Sequence, residues 1–567
     1  MPSSKRTRGP RRLVLGPVLG HTDHRSTRIW IQVPDDPRVY AVRVDGVGLF
    51  PFESTEIGGV IEFGTATARV SGLEPDRRYT YRIQRAGRFL AGARGSVRTL
   101  MPPESMMPLL FDAISCNGST KLGAWQDFAD HVERAQPSFI VMMGDQVYLD
   151  EDEPNIFRDH FDSRGNGGGD GNRTARRQAM AANYRANWSR EPVARLLANT
   201  PCYMMWDDHD IRDGWGSVAS DSPTLAAKYP RGAAIFRKSN AFFEDARDVF
   251  WHFQGCRNPR PGDHLDALNQ PDPAFPNYVD GPLPAGTRIG MPFVFRCGRL
   301  LVMVLDSRGA RDVFRADKAI LGDVQWTFAD QVLTQVPADI DALAVVTATP
   351  LASQDPDGQT QRLMGGRTDD VEAFRRGDEQ ELFHPQQKDS KAEGIVKSIV
   401  SAKVERITGT NPNLGDFQVN NIDEARDQWS HRASRPEQRE LLKKAFAARL
   451  ANLPQGSKGR ELLFLSGDIH IGCTFEVSAT RPVKAKATSL TSSGISQIED
   501  RQPFIGVYVD ESFSLAPGIS AELKDVIVSF NFGVITVTPT GHGALIQTAL
   551  AHEGNGFAFA LDIKDLI

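Results

Sequence analysis

From residue 109 onward the chain contains short, continuous apolar runs that each end abruptly in polar residues. The runs at 139–143, 202–206 and 462–465 are followed by Gly-Asp, Asp-Asp-His and Ser-Gly-Asp. Runs of four to six apolar residues are typical of strands that are buried on both faces of a sheet. Helical periodicity lies between several of them, so the sequence predicts a layered α/β core.

The first hundred residues have a different pattern. Residues 13–101 alternate apolar and polar positions in short segments separated by Gly, Pro and Asp, which predicts a small β-sandwich of the fibronectin or immunoglobulin type. Residues 1–12 are basic and are predicted to form a disordered tail. Residues 102–567 are assigned to the second domain, with a polar insertion at 351–421 that contains some helix around 393–407.

Composition excludes several classes of protein. The net charge of −5 disfavours a general binder of nucleic acid or of anionic membranes. The five cysteines are scattered without a CxxC pair, so neither a disulfide framework nor a zinc finger is predicted. No run approaches the roughly 20 apolar residues of a membrane span. The basic start has no small-residue cleavage site, which favours a cytoplasmic location over twin-arginine export.

Chemically reactive side chains cluster just after the predicted strands. They are Cys116, Asp145, Tyr148, Asp207, Asp208, His209, Asp213, Asp468 and His470. If the sheet gathers these strand ends, several negative groups converge and require cations to neutralise them. The sequence therefore predicts a polynuclear metal site. Carboxylates suit Ca²⁺, Mg²⁺, Mn²⁺ or ferric iron, imidazole suits Zn²⁺ or iron, and a thiolate favours a softer or strongly Lewis-acidic ion.

These blocks resemble a known family. Residues 144–148 resemble the GDxxY block of calcineurin-like and purple-acid-phosphatase-like metallophosphoesterases, and residues 466–470 resemble their closing G-D-x-H block. Residues 206–210 are closer to the W-D-D-H block of the alkaline phosphatase D (PhoD-like) branch. That branch also has Ser-Cys at the first strand end, where Ser115 and Cys116 stand here. Since the branch commonly carries an N-terminal β-domain, the resemblance covers nearly the whole chain.

The resemblance implies a role for each residue of the predicted site. Asp145 would bridge two cations, and Tyr148 and Cys116 would bind a ferric ion. The remaining implied ligands are Asp208, Asp213, Asp468 and His470. His209 would donate a hydrogen bond or a proton to the phosphoryl group. The implied cofactors are Fe³⁺ with Ca²⁺, with Zn²⁺, Mn²⁺ or Mg²⁺ as alternatives. Many proteins of this branch are exported, which leaves a periplasmic or secreted location open.

Several residues admit two interpretations. Arg308 could clamp a phosphate group bidentately or form a salt bridge with Asp306 or another acid. Asp207 could bind a metal or could instead orient His209. His431 follows a Trp-containing segment that PhoD-like proteins place near the site, so we consider it a candidate substrate contact. The acidic run at 150–153 could bind a cation, and a solvated loop is the simpler interpretation.

The sequence thus predicts metal-dependent hydrolysis of small phosphate monoesters or diesters. One alternative is a nuclease of the same superfamily, for which nucleic acid would be a diester substrate. The other is a catalytically silent binding protein that metals stabilise. The resemblance also has a departure, because Asp112 is followed by Ala and Ile and not by a ligand-spaced His. The oligomeric state, the natural ester and the role of the insertion stay open.

Overall fold

The N-terminal region is entirely β-structure. The computed structural model describes residues 12–55, 62–118, 122–151, 154–161, 172–266, 268–366, 368–383, 390–412, 414, 423–497, 502–540 and 543–552. The first eight strands are β1 (Leu15–Thr22), β2 (Ser26–Val33), β3 (Tyr40–Val44), β4 (Gly48–Pro51), β5 (Glu53–Ser54), β6 (Gly64–Ser71), β7 (Arg78–Arg85) and β8 (Arg88–Arg98). They form two four-stranded sheets, in the orders β1-β2-β6-β5 and β4-β3-β7-β8. The predicted basic tail lies outside the described residues, apart from its last residue.

Alternation of side chains explains this sandwich. In β3, Tyr40, Val42 and Val44 are buried while Arg43 between them is exposed, as expected of a strand with one face on a core. The sandwich also contacts the rest of the chain through buried polar bonds. The Trp30 indole N–H donates to the carbonyl of His252 at 2.9 Å, and Arg28 pairs with Asp263 at 3.1 Å. The predicted N-terminal all-β region is confirmed.

Two further sheets form the centre of the molecule. Their strands are β9 (Leu109–Ile114), β10 (Ile140–Met143), β11 (Cys202–Met205), β12 (Phe293–Cys297), β13 (Leu300–Val304), β14 (Ala342–Val346), β15 (Glu461–Ser466), β16 (Gly472–Ala479), β17 (Ala485–Thr491), β18 (Ser512–Ala516), β19 (Ile519–Ile527), β20 (Asn531–Pro539) and β21 (Ala544–His552). One sheet has the order β11-β10-β9-β20-β21 and the other the order β12-β13-β14-β15-β17-β16-β19-β18. The β9, β10 and β11 strands are parallel, as are β13, β14, β15 and β17.

The central strands β13, β14 and β15 of the larger sheet are buried on both faces, which is why they are continuously apolar. Leu301, Leu343 and Leu462 lie side by side in register and belong to a core beneath the helices. The residues that follow Leu301 and Leu343, Val302 and Ala344, join the other core, which this sheet shares with the smaller one. Because successive side chains point to opposite faces, each strand feeds both cores.

Helices cover the sheets on their outer sides. They are α1 (Trp125–Ala135), α2 (Ile156–Phe161), α3 (Arg173–Trp188), α4 (Glu191–Leu197), α5 (Pro223–Lys228), α6 (Ala233–Phe253), α7 (Gly322–Thr334), α8 (Gln359–Leu363), α9 (Asp369–Arg376), α10 (Glu379–Phe383), α11 (Ser390–Thr408), α12 (Asp423–Arg426), α13 (Arg435–Ala448) and α14 (Gln502–Tyr508), with short 3₁₀ helices at Pro37–Val39, Ala219–Asp221 and Gly255–Arg257. The predicted layered α/β fold is confirmed. Among the described residues, no helix combines the length and apolarity that a membrane crossing requires.

The insertion contains the helix that the sequence predicts. The predicted helix at 393–407 corresponds to α11 (Ser390–Thr408), in which Val400 lies against Gly506 of α14. Residues 259–292 contain no helix or strand among the positions described, apart from one bridge between Leu265 and Pro271. Most of residues 163–173, which include five glycines, lie outside the described residues.

Candidate metal centre

Both central sheets deliver polar residues to one place. Cys116, Asp145 and Asp207 follow β9, β10 and β11 of the smaller sheet, and Asp468 follows β15 of the larger one. Backbone bonds join these turns: the Cys116 N–H donates to the carbonyl of Gly144 at 3.3 Å. The carboxyl ends of parallel strands therefore meet across the two sheets, as expected for α/β sites.

Two glycines allow the turns to approach this closely. A Cβ on Gly144, whose φ is +112°, would lie 2.4 Å from the Cβ of Asp207. A Cβ on Gly467 would lie 2.2 Å from the hydroxyl of Ser115. The glycine before each aspartate is therefore required by packing, because any side chain would push the strand ends apart.

Four residues of the cluster have left-handed backbone conformations. The φ angles are 59° at Cys116, 52° at Asp145, 72° at Asp468 and 56° at His470. Glycine would adopt these angles freely, whereas other residues in sparsely populated regions cost on the order of 1–3 kcal/mol each. Strain kept at four neighbouring positions indicates that their side chains are needed.

The first group of candidate ligands consists of Cys116, Asp145 and His470. One ligand atom from each lies within 4.8 Å of the others, and all three residues are buried. The Cys116 thiol is 3.5 Å from Asp145 Oδ2. The Tyr148 hydroxyl lies 3.0 Å from His470 Nε2 and 3.3 Å from Asp145 Oδ2, so it belongs to the same group.

Two more groups overlap with the first. Asp145, Asp208 and His209 form the second, and Asp207, Asp208 and Asp468 form the third. Oδ2 of Asp207 and Oδ1 of Asp208 are buried and accept no hydrogen bond within the described part of the chain. Unsatisfied carboxylate oxygens are costly in a protein interior, and they are also ligands for hard cations. The donors present therefore fit metal ions.

The pKa values of the site carboxylates also indicate that cations bind here. Burial, reinforced by Cys116 and Asp208, raises the pKa of Asp145 well above its usual range. Burial and the neighbouring Asp207 do the same to the pKa of Asp468. Burial also raises the pKa of Asp207 to about 7, although Arg308 opposes the shift. Carboxylates in such surroundings ionise readily only when cations accompany them.

His209 is held beside these carboxylates by a second acid. Its Nδ1 lies 2.8 Å from Asp150 Oδ1, and its backbone N–H donates to Asp145 at 3.3 Å. Burial lowers the pKa of the imidazole, but the carboxylates of Asp150 and Glu151 outweigh that effect and raise the pKa well above its usual value. These contacts favour the protonated ring, with Nδ1–H directed at Asp150.

Asp150 is a residue whose role the sequence did not reveal. The sequence favours a solvated acidic loop at this position. In the structure Asp150 is half-buried, and its second carboxylate oxygen accepts a hydrogen bond from the backbone N–H of Asp213 at 2.5 Å. Residues 152 and 153 of the same run lie outside the described residues. In the sequence, Asp150 is the first of four consecutive acidic residues, and no local feature distinguishes it from the other three.

Arg308 is near the site but fully buried. Its guanidinium pairs with Asp207 and Asp427 and lies 3.2 Å from Asp468 Oδ1. This geometry corresponds to the salt-bridge interpretation, with partners other than Asp306. The Asp306 carboxylate instead accepts the Arg308 backbone N–H at 2.9 Å.

Two other residues of the predicted site, His431 and Asp213, are not members of the three ligand groups. The His431 ring donates from Nε2 to the carbonyl of Gly365 at 3.1 Å and accepts the Ala433 N–H at 3.4 Å, so both ring nitrogens face backbone. Asp213 is half-buried beside the site, and Asp207 and Asp208 provide the carboxylates next to Asp468. The segment before His431 contributes Gln428 instead, whose amide donates to Asp468 Oδ2 at 3.3 Å.

Comparison with known proteins agrees with this geometry. The sequence profile of the PhoD-like phosphatases matches residues 110–512, and that of DUF7800, a domain of unknown function, matches residues 10–99. No curated protein sequence matches the chain significantly.

A solved structure of PhoD shares the fold. A structure of PhoD superposes with a TM-score of 0.53 at 13% identity, covering 96% of this chain and 91% of the other. The purple acid phosphatase PPD1 from yellow lupin (Lupinus luteus) seeds gives a TM-score of 0.46 at 9% identity, covering 95% of this chain and 72% of the other. The family profile spans well over half of the sequence, and the predicted resemblance is thereby confirmed. The chain belongs to the PhoD-like phosphatase family.

Proposed function

We propose that this protein hydrolyses small phosphate esters at a metal centre formed by the three overlapping ligand groups. The observation that carries the proposal is the position of Asp145, a buried carboxylate shared by two of the groups. A carboxylate with two oxygens suits the bridge between two cations. Membership of a phosphatase family supports the same reaction class.

Different donors suit different ions. Cys116, Tyr148 and His470, together with Asp145, would hold ferric iron, because thiolate and tyrosinate are strong anionic donors. Asp145 and Asp208 would hold Ca²⁺, which prefers oxygen ligands, and Zn²⁺, Mn²⁺ or Mg²⁺ are alternatives. Asp213 is a further candidate for this side. When bound, such ions polarise the phosphoryl oxygens and lower the pKa of water.

The protein itself supplies the proton for the leaving group. Asp150 fixes Nδ1 of His209 at 2.8 Å, which leaves Nε2, 4.0 Å from Glu151 Oε1, as the nitrogen available to the ester in a ring that belongs to the second ligand group. The cationic ring can therefore give its Nε2 proton to the departing alkoxide and is then stabilised as a neutral ring by the same hydrogen bond. Buried surroundings strengthen these interactions relative to water.

The two rival functions are less well supported. A nuclease requires attraction for a polyanion, and the net charge of −5 provides none overall. A silent protein that uses metals only for stability has no need of a histidine that a second acid orients beside its ligands. The Asp150–His209 pair therefore favours catalysis over a purely structural site.

Hydrolysis of chromogenic phosphomonoesters and phosphodiesters, before and after chelation, tests the proposal. We expect turnover of at least one substrate, its loss with a chelator and its return when iron and Ca²⁺ are restored. The silent alternative predicts no turnover of either ester by the metal-replete protein and a lower melting temperature after chelation. Activity that survives complete removal of metals would also contradict the proposal.

Iron bound by Tyr148 or Cys116 has a spectroscopic signature. We expect a visible charge-transfer band in the purified protein, because tyrosinate and thiolate donate strongly to ferric iron. Tyr148→Phe or Cys116→Ser should shift or remove the band. Cys202→Ser is a matched control, since this thiol is also buried in the smaller sheet but donates to the carbonyl of Thr200, outside the ligand groups. A colourless, iron-free and fully active enzyme would refute the iron assignment.

A further inference from the structure

Arg308 contacts every member of the third ligand group. Its Nε–H donates to Asp207, and its Nη2 lies 3.4 Å from Asp208 Oδ1 and 3.2 Å from Asp468 Oδ1. Asp145, shared by the first and second groups, differs in this respect. In the part of the chain that the structure describes, no Arg or Lys side chain forms an ion pair with it.

The guanidinium is fixed on all sides. Its Nη1 and Nη2 donate to both oxygens of Asp427, and the remaining N–H groups donate to Asp207, Asp468 and the carbonyl of Trp215. An arginine has five N–H groups, and here all five have acceptors. A side chain with no N–H to spare is suited to neutralising fixed charge and poorly suited to clamping a phosphate.

Asp427 is itself held in place, so the arrangement is rigid. It accepts the Ser217 hydroxyl at 2.9 Å and lies 3.5 Å from Nη2 of Arg311. The Arg308 guanidinium and the bidentate carboxylate form a fork of the kind that fixes both orientation and distance.

We infer that Arg308 is a built-in cation that takes the place of a metal ion in the third group, so that the centre binds two ions per chain. This inference rests on the proposed function. The charges of the side chains around the centre are consistent with two bound ions. The carboxylates counted are Asp145, Asp207, Asp208 and Asp427, which are buried, and Asp468, which is half-buried, and the guanidinium groups are Arg308 and Arg311. With Cys116 and Tyr148 deprotonated, one trivalent and one divalent ion restore neutrality.

Metal content per chain, measured by elemental analysis after dialysis against Ca²⁺ and iron, tests the inference. We expect two ions in the wild-type protein and three in Arg308→Gln, which removes the charge but retains hydrogen-bonding capacity. Arg308→Lys restores a positive charge and should return the content to two. The melting temperature of Arg308→Gln should rise with millimolar Ca²⁺, whereas that of the wild type, already saturated, should not.

Arg28→Gln provides the matched control. Arg28 is another buried arginine paired with a buried acid, Asp263, outside the ligand groups. The Arg28→Gln substitution should lower the melting temperature without changing the metal content. Three ions in the wild type, or two in a folded Arg308→Gln, would overturn the inference and leave the proposed function standing. A wild-type protein that binds no ions would instead refute the proposed function. If Arg308→Gln does not fold, the wild-type count decides alone.

Discussion

Replacing His209 with glutamine is expected to lower kcat by roughly 10²–10⁴-fold, the usual contribution of a general acid. Glutamine can donate a hydrogen bond but cannot give up a proton to the leaving alkoxide. The side chain also belongs to the second ligand group, so a loss of metal could produce the same effect on the rate. Elemental analysis separates the two roles, because a proton donor can be removed without changing the metal content.

Two variants sharpen this prediction. Asp150→Asn should lower kcat less than His209→Gln, since it weakens the hold on Nδ1 at 2.8 Å but leaves the imidazole in place. His131→Gln is the matched control, because His131 forms another buried histidine–aspartate pair, 3.2 Å from Asp112, outside the ligand groups. A near-wild-type rate for His209→Gln would exclude His209 as the proton donor. If the rate of His209→Gln falls only in proportion to the metal that the variant has lost, His209 acts as a metal ligand.

Replacing Asp145 with asparagine is expected to abolish activity and yet stabilise the metal-free protein. Loss of the shared ligand removes transition-state stabilisation worth several kcal/mol, or about 10³-fold in rate or more. In the metal-free protein the same carboxylate is buried beside Asp207 and Asp208, and the opposing effect of His209 offsets their repulsion only in part. Asparagine carries no charge, so it avoids the free-energy cost of either ionising or protonating an acid in these surroundings. The melting temperature should rise by roughly 1 °C for each kcal/mol relieved, because the unfolding entropy of a chain of 567 residues is large.

Thermal unfolding with and without metal measures both halves of this prediction. Wild type should be strongly stabilised by metal, whereas Asp145→Asn should respond weakly. Asp245→Asn is the control with the opposite sign. Asp245 is also buried, but Arg173, Arg176 and Arg177 surround it, so its loss should destabilise the protein with or without metal. A metal-free Asp145→Asn that unfolds at a lower temperature than metal-free wild type would contradict the account.

Much of the fold was predictable because its strands have a local signal. Leu301, Leu343 and Leu462 are parts of apolar runs, and such runs arise when both faces of a sheet are covered. The partners of the C-terminal strands were not predictable. Strand β20 crosses to the smaller sheet beside β9, while β16 and β19 extend the larger one. Strand pairing over hundreds of residues leaves no trace in local periodicity.

The same distinction applies to the site. Cys116 and Asp145 could be predicted as site residues because each closely follows a buried strand, where α/β proteins place their chemistry. Asp150 and Asp427 lie in segments without periodicity and act through distant partners. Arg308 shows the limit best, since sequence proximity suggested Asp306, whereas its actual partners are 101 and 119 residues away.

Anomalous X-ray diffraction from crystals of the metal-replete protein, recorded at the iron absorption edge, tests the central claim most directly. The account predicts a peak bounded by the Cys116 thiol, the Asp145 carboxylate, the Tyr148 hydroxyl and His470 Nε2, with a second, lighter ion on the other side of Asp145. An active crystal form in which these side chains bind no ion, or in which metal lies elsewhere, would contradict it.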